Sequence, residues 1–221
     1  MEQREKERRA TAALHYLQGR YPQAVCALQW QGDPWRLLVM GRLSAQCTDA
    51  RVNEVCRKLF AVYPDCRSMA QAELGTLEKL IYSCGVYRVK AQNLRDSARI
   101  LTKEYGASVP NDMEALLRLP GVGRKIANLI LGDAFGQPAI VADTHCIRIS
   151  GRLGLCESGD PVKVEKELRA LIPPEESADF CHRLVMFGRE VCTARAPHCE
   201  VCPLACPARQ KEFAAEAKSG I

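Results

Sequence analysis

Apolar residues recur at helical spacing along most of the chain. Residues 2–18 read as an amphipathic helix with Ala10, Ala13, Leu14 and Leu17 on one face, broken after it by Tyr21-Pro22. Asp33-Pro34 is an N-cap followed by proline at the first helical position, opening a helix through Trp35, Leu37, Leu38 and Met40 to about Gln46. Thr48 can cap the next, where Val52, Val55, Cys56, Leu59 and Phe60 follow the i, i+3, i+4, i+7, i+8 pattern. Similar patterns occupy roughly 74–84, 88–105, 112–118, 124–134, 144–153, 161–171 and 176–191, with glycine or proline between most of them. Only 139–141 reads as extended, and no internal repeat or low-complexity tract is present. Ten helical segments without alternating strands predict an all-α fold whose short joints make the helices pack as neighbours.

Composition narrows the class. At 221 residues and 47% apolar content, the chain can build one large core or two smaller ones, which excludes disorder as its main state. The net charge of +5 is compatible with a polyanionic partner and does not require one. Residues 1–9 carry seven charged side chains, and no run of 18 apolar residues occurs, so neither a secretory signal nor a membrane span is expected and the protein reads as intracellular. In that setting the twelve cysteines read as buried thiols plus a metal site rather than as disulfides.

Two stretches carry candidate chemistry. Between two short helical patterns stands Leu119-Pro120-Gly121-Val122-Gly123-Arg124-Lys125. Its two glycines allow positive φ and close backbone approach, and Val122 is an apolar anchor between them. Outward N–H groups there, with the unpaired donors of the following helix, suit a phosphate without reading any base; an ordinary αα turn is the plain alternative. Lys125 in a first helical turn sits against the helix dipole. That dipole is worth up to about 1 kcal/mol and moves a lysine pKa of about 10.4 by less than one unit, so desolvation and Arg124 must supply the rest of any activation. Taken alone, Lys125 reads as a solvated lysine or phosphate contact, and Asp143 as the N-cap of the helix that follows it.

The second stretch is Cys192, Cys199, Cys202 and Cys206, separated by six, two and three residues in a polar, proline-rich segment. Four thiolates this close point to zinc or to a [4Fe-4S] cluster. The usual zinc ribbon joins two Cys-x-x-Cys knuckles across a longer spacer, which is absent here and favours iron–sulfur. Arg189, Arg195 and Arg209 around it suit phosphate contact.

The string Leu-Pro-Gly-Val-Gly-Arg-Lys-Ile-Ala-Asn at 119–128 resembles the helix-hairpin-helix of the endonuclease III family of DNA glycosylases, and Val-Ala-Asp-Thr-His-Cys-Ile-Arg at 141–148 resembles that family's aspartate segment. The eighteen-residue step from Lys125 to Asp143 matches the step between the family's catalytic lysine and aspartate. Leu-Ser-Ala-Gln-Cys-Thr-Asp at 43–49, Gly-Val-Tyr-Arg-Val-Lys-Ala at 85–91 and the terminal cysteines extend the resemblance over about 35–206. It implies two helical lobes: a six-helix barrel over 27–137 with the helix-hairpin-helix at about 112–134, and a lobe from 1–26 plus 138–221 carrying a [4Fe-4S] loop at 192–206.

The resemblance further implies a bifunctional glycosylase and abasic-site lyase of base excision repair, acting on oxidised or damaged pyrimidines in double-stranded DNA. Lys125 would form a Schiff base at C1′ and serve as electron sink; Asp143 would stabilise charge and help activate the amine. Because C1′ is inaccessible in a stacked duplex, the nucleotide must be flipped out. Gln46 would then fill the gap and pair with the orphan base while Val86 wedges the other strand. Gly121, Val122, Gly123 and Arg124 would hold phosphate and His145 would orient the hairpin. Arg148 and Lys90 are candidate backbone contacts, with a solvated cation as the plain alternative for each.

The sequence departs from the family in three places. The last cysteine gap is three where the family usually has about five, which leaves Cys206 as the only available fourth ligand. Ile126 stands where many relatives have threonine, and Cys47 follows Gln46. Two competing readings are a monofunctional mismatch glycosylase, opposed by lysine rather than serine or tyrosine at 125, and a non-catalytic iron–sulfur DNA-binding module, opposed by Asp143 at the family's distance from Lys125. A monomer is expected.

Overall fold

The computed structural model describes residues 3–208. The chain divides into two compact units, Cys26–Gln137 and a discontinuous one that joins Met1–Val25 to Pro138–Ile221. Among the described residues there are eleven α-helices and three short 3-10 turns, and no strand.

In the continuous unit, α2 (Pro34–Leu43) is the central helix. Asp33 caps it by accepting from the Trp35 amide at 2.9 Å, and five consecutive residues from Leu37 to Gly41 are buried, as expected of a helix surrounded by others. Around it stand α3 (Asp49–Val62), capped by Thr48, α5 (Leu74–Ile81), α6 (Tyr87–Glu104), α7 (Met113–Leu117) and α8 (Arg124–Phe135). Gly41 lets α2 approach α8 closely: a Cβ there would touch Leu129 and Ile126 at 3.4–3.5 Å. Ile126 therefore has a packing role against α2. A five-residue helix, α4 (Cys66–Ala70), escapes the periodicity because one turn and a half is too short to show a period. It is set by a capping box between Asp65 and Ser68 and packs on α6, where the Cys66 thiol donates to the Ala98 carbonyl at 3.5 Å.

The second unit packs α1 (Gln3–Arg20), α9 (Thr144–Leu153), α10 (Pro161–Leu171) and α11 (Ser177–Glu190) around Leu17, Ile149, Leu168, Phe180, Leu184 and Phe187. Tyr16 meets Phe187 edge to face with centroids 6.0 Å apart. Residues 138–143, which lead into α9, pair with no strand. Their amides are satisfied by side chains of α11 instead: Ala139 donates to Ser177 Oγ at 2.9 Å and Val141 to Cys181 Sγ at 3.3 Å.

Candidate active site

The hairpin 119–124 joins α7 to α8. Val122 donates to the Leu119 carbonyl at 3.0 Å and its side chain is buried, which anchors the turn to the core. The two glycines differ from expectation. Gly121 has φ +76°, where an L side chain is strained, and a Cβ there would overlap the Arg42 guanidinium and Asn93. Gly123 is extended (φ −100°, ψ 177°) and serves as N-cap of α8. Its contribution is the absence of a side chain, since nothing caps the first turn of α8 and the face is left for an anion. Arg124 and Lys125 are exposed in that turn. The dry surroundings that amine chemistry requires are thus not built into the hairpin itself.

Two further loops of this unit carry Gln46 and Val86. Both residues are exposed and both have left-handed backbones, φ 56° and 44°, which cost about 1–3 kcal/mol each in residues other than glycine; the β-branched Val86 is the more unusual. The loops are neighbours, because a Cβ on Gly85 would lie 3.9 Å from the Gln46 carbonyl oxygen. Lys90 corrects the sequence expectation. It is 2% exposed and its ammonium donates to the carbonyls of Leu43 (2.8 Å), Ala45 (2.6 Å) and Cys84 (2.6 Å), so it is neither a solvated cation nor a phosphate contact. Spacing alone could not reveal this, since the acceptors are main-chain groups, two of them from a loop more than forty residues away.

In the other unit Asp143 caps α9, its carboxylate accepting from the Cys146 amide at 2.7 Å. It is half-buried and remains partly open to solvent. One turn on, Arg148 Nη2 lies 3.3 Å from His145 Nδ1 and donates to the carbonyls of Gly188 (3.3 Å) and Cys192 (3.0 Å). Gly188 is required for this packing, as a Cβ would overlap His145. Its guanidinium holds α9 against α11 and the first cysteine.

Arg152, which sequence reasoning missed, ends α9 and grips the same segment. It donates to Thr193 (2.6 Å) and Ala194 (2.9 Å) carbonyls and lies 3.4 Å from Cys192 Sγ, while Cys206 Sγ donates to its carbonyl at 2.9 Å. No signal in the sequence links an arginine forty residues upstream to this loop.

Cys192, Cys199, Cys202 and Cys206 line one recess, partly open to solvent, with Leu153, Phe187, Val191 and Leu204 as its apolar wall. Burial and the nearby sulfurs of the other three push the Cys202 thiol up. Among the described residues no three potential ligands are gathered as a single metal ion needs. Four cysteine thiols lining one recess fit a cubane, with one cysteine to each iron. Arg189 and Arg195 are exposed nearby, while Arg209 lies outside the described residues.

Residues 39–174 match the family described as the HhH-GPD superfamily base excision DNA repair protein, and residues 192–205 match the iron-sulfur binding domain of endonuclease III. Endonuclease III of Synechocystis is 45% identical over 208 residues, 93% of this chain and 94% of that protein. The chain belongs to the endonuclease III family. Endonuclease III of Bacillus subtilis is 44% identical over 185 residues, covering 83% of this chain and 84% of the relative. A trapped covalent endonuclease III–DNA intermediate superposes with a TM-score of 0.89 at 40% identity, covering 94% of this chain and 98% of that one. A thermostable thymine-DNA glycosylase, 23% identical with a TM-score of 0.83, shares the fold. As a member of the endonuclease III family, the chain is a DNA glycosylase and abasic-site lyase of base excision repair and carries a [4Fe-4S] cluster. Among the described residues no helix is long and apolar enough to cross a membrane.

Proposed function

We propose that the chain acts inside the cell, as a monomer, on double-stranded DNA containing an oxidised or otherwise damaged pyrimidine, with Lys125 as nucleophile. The observation that carries this reading is the place of Lys125, exposed in the first turn of α8 directly after a hairpin whose following helix has no side-chain cap. The amides around Gly121, Val122, Gly123 and Arg124 hold a backbone phosphate, and bound substrate shields the amine from water. Lys125 Nζ then bonds to C1′ as the base leaves with its bonding electrons and a proton. The C1′–O4′ bond then opens, O4′ taking a proton, and the resulting Schiff base draws electrons from C2′, whose proton is lost as the C3′–O bond breaks and releases the 3′ phosphate; water frees the lysine.

Asp143 accepts the Cys146 amide hydrogen bond, and its carboxylate stabilises positive charge developing at C1′. Gln46 and Val86 enter the duplex where the flipped nucleotide was. His145 and Arg148 serve DNA binding indirectly, by fixing the first turns of α9. Cys192, Cys199, Cys202 and Cys206 hold the cluster, which supplies structural bracing and redox tuning. Around it Arg148 and Arg152 fix the loop.

Borohydride reduction in the presence of abasic duplex tests the nucleophile: a covalent adduct forms with the native chain and is absent with Lys125→Gln. An undiminished adduct in that variant removes Lys125 from the mechanism. A panel of duplexes, each with one damaged pyrimidine or mismatch, tests the substrate class.

A further inference from the structure

Lys90 joins the main chain of two loops that meet beside it. Leu43 is the last residue of α2 and Ala45 lies just beyond it, while Cys84 ends the 3-10 turn Tyr82–Cys84. Carbonyls at such ends have no partner within their helix and carry partial negative charge, so an ammonium placed among them is favourable. With three donors and no acceptor, a lysine head fits three carbonyls at 2.6–2.8 Å fully, and only in its charged form. Its own helix, α6, begins at Tyr87, immediately after Val86.

Two of the three acceptors lie within two residues of a strained one. Ala45 precedes Gln46, and Cys84 is followed by Gly85 and Val86. Left-handed backbones at Gln46 and Val86 persist only if their surroundings enforce them. Neither side chain is held by burial, for Gln46 is exposed and Val86 is 59% exposed. The enforcement falls on the main chain beneath them, and Lys90 is the group that grips it on both loops. It is also buried beneath residues that stay available to solvent, as a support for a contact surface would be.

We propose that Lys90 is a positioning residue for nucleotide extrusion: by clamping the carbonyls of Leu43, Ala45 and Cys84 it presets Gln46 and Val86 at the spacing and in the strained conformations with which they enter the duplex. The proposal rests on the reading of Gln46 and Val86 as the inserting residues. Presetting removes an ordering cost at the moment of binding, so its loss falls on substrates that must be opened and spares those already open.

The test compares Lys90→Met with the native holoenzyme on three substrates: a damaged pyrimidine in paired duplex, the same lesion in single-stranded DNA, and a preformed abasic site in single-stranded DNA. A fluorescent base analogue opposite or beside the lesion reports opening of the duplex. Excision from paired duplex is expected to fall tenfold or more with slowed opening, while both single-stranded reactions stay within twofold of native. Lys90→Gln, which keeps an amide able to reach one or two of the carbonyls, is expected to fall between, and it replaces the methionine variant if that does not accumulate folded. Equal losses on all three substrates, or native opening rates in the folded variants, overturn the proposal. Gln46→Ala and Val86→Ala separate the two layers. If they leave opening unchanged, the insertion reading fails, and if they slow it while the Lys90 variants do not, the clamp alone fails.

Discussion

The guanidinium of Arg148 donates to the main-chain carbonyl of Cys192 at 3.0 Å. The helix capped by Asp143 is thereby fastened to the first cysteine of the cluster loop, and Arg152 repeats the connection a turn later. Partners that orient a ligand's backbone govern metal retention as strongly as many ligands do. Arg148→Ala should therefore release iron to a chelator about ten- to a hundredfold faster than native. Visible charge-transfer absorbance followed with time checks this, and native iron retention would mean the contact does not hold the loop.

Cys206 lies one residue beyond the span matched by the iron–sulfur domain, after a gap of three rather than about five. It nonetheless lines the same recess as the other three cysteines. Cys206→Ser should lower iron per chain and visible absorbance, whereas Cys156→Ser, a change in the same unit but outside the recess, should not. A full complement of iron in the Cys206 variant would show that the fourth ligand is another group.

Asp143 has two duties that one substitution can separate. Asparagine caps helices as well as aspartate does but carries no charge. Asp143→Asn should thus keep stability within about 0.5 kcal/mol while slowing base excision by roughly 10²–10³, the usual cost of one preorganised electrostatic group. Thermal melts alongside single-turnover excision give both numbers; a matched loss of stability and rate would reduce Asp143 to its cap.

Acid stability should depend on Glu176. The buried Arg183 guanidinium, 2.8 Å away, holds its carboxyl below the usual carboxylate range. Because the folded pKa is depressed, the stabilisation is fully present above the unfolded value of about 4.3 and is lost as pH falls through the folded value. Glu176 is partly exposed, so the contribution is on the order of 1 kcal/mol after solvent screening. Denaturant melts between about pH 7 and pH 3 should show a shallower loss of stability with Glu176→Gln than with the native chain. An unchanged slope would place the acid sensitivity elsewhere.

Much of this molecule is legible in local chemistry. Asp33, Thr48 and Asp143 announce the helices they cap because a cap needs only two or three residues of context. The same locality explains the failures. Segment 139–141 reads as extended, yet its amides bond to side chains of α11 nearly forty residues away. Gly123 resembles Gly121 in sequence but differs in backbone, because what separates them is the contact of Gly121 with Arg42 and Asn93. Lys90 and Arg152 look like ordinary surface cations until distant carbonyls arrive beside them. The soft-donor ring was legible as four cysteines; the arginines that brace it were not.

The discontinuous unit also imposes an order on the chain's own making. Tyr21 donates to Glu190, 169 positions further along, and the apolar stripe of α1 buries itself on helices from that far end. At roughly 5–20 residues per second, α1 leaves the ribosome on the order of ten seconds or more before those helices exist. The intervening Cys26–Gln137 unit carries its own core and can fold during that interval. Ala10, Ala13 and Leu17 meanwhile wait in water, a sticky tail on a half-born protein, until the last helix arrives to cover them.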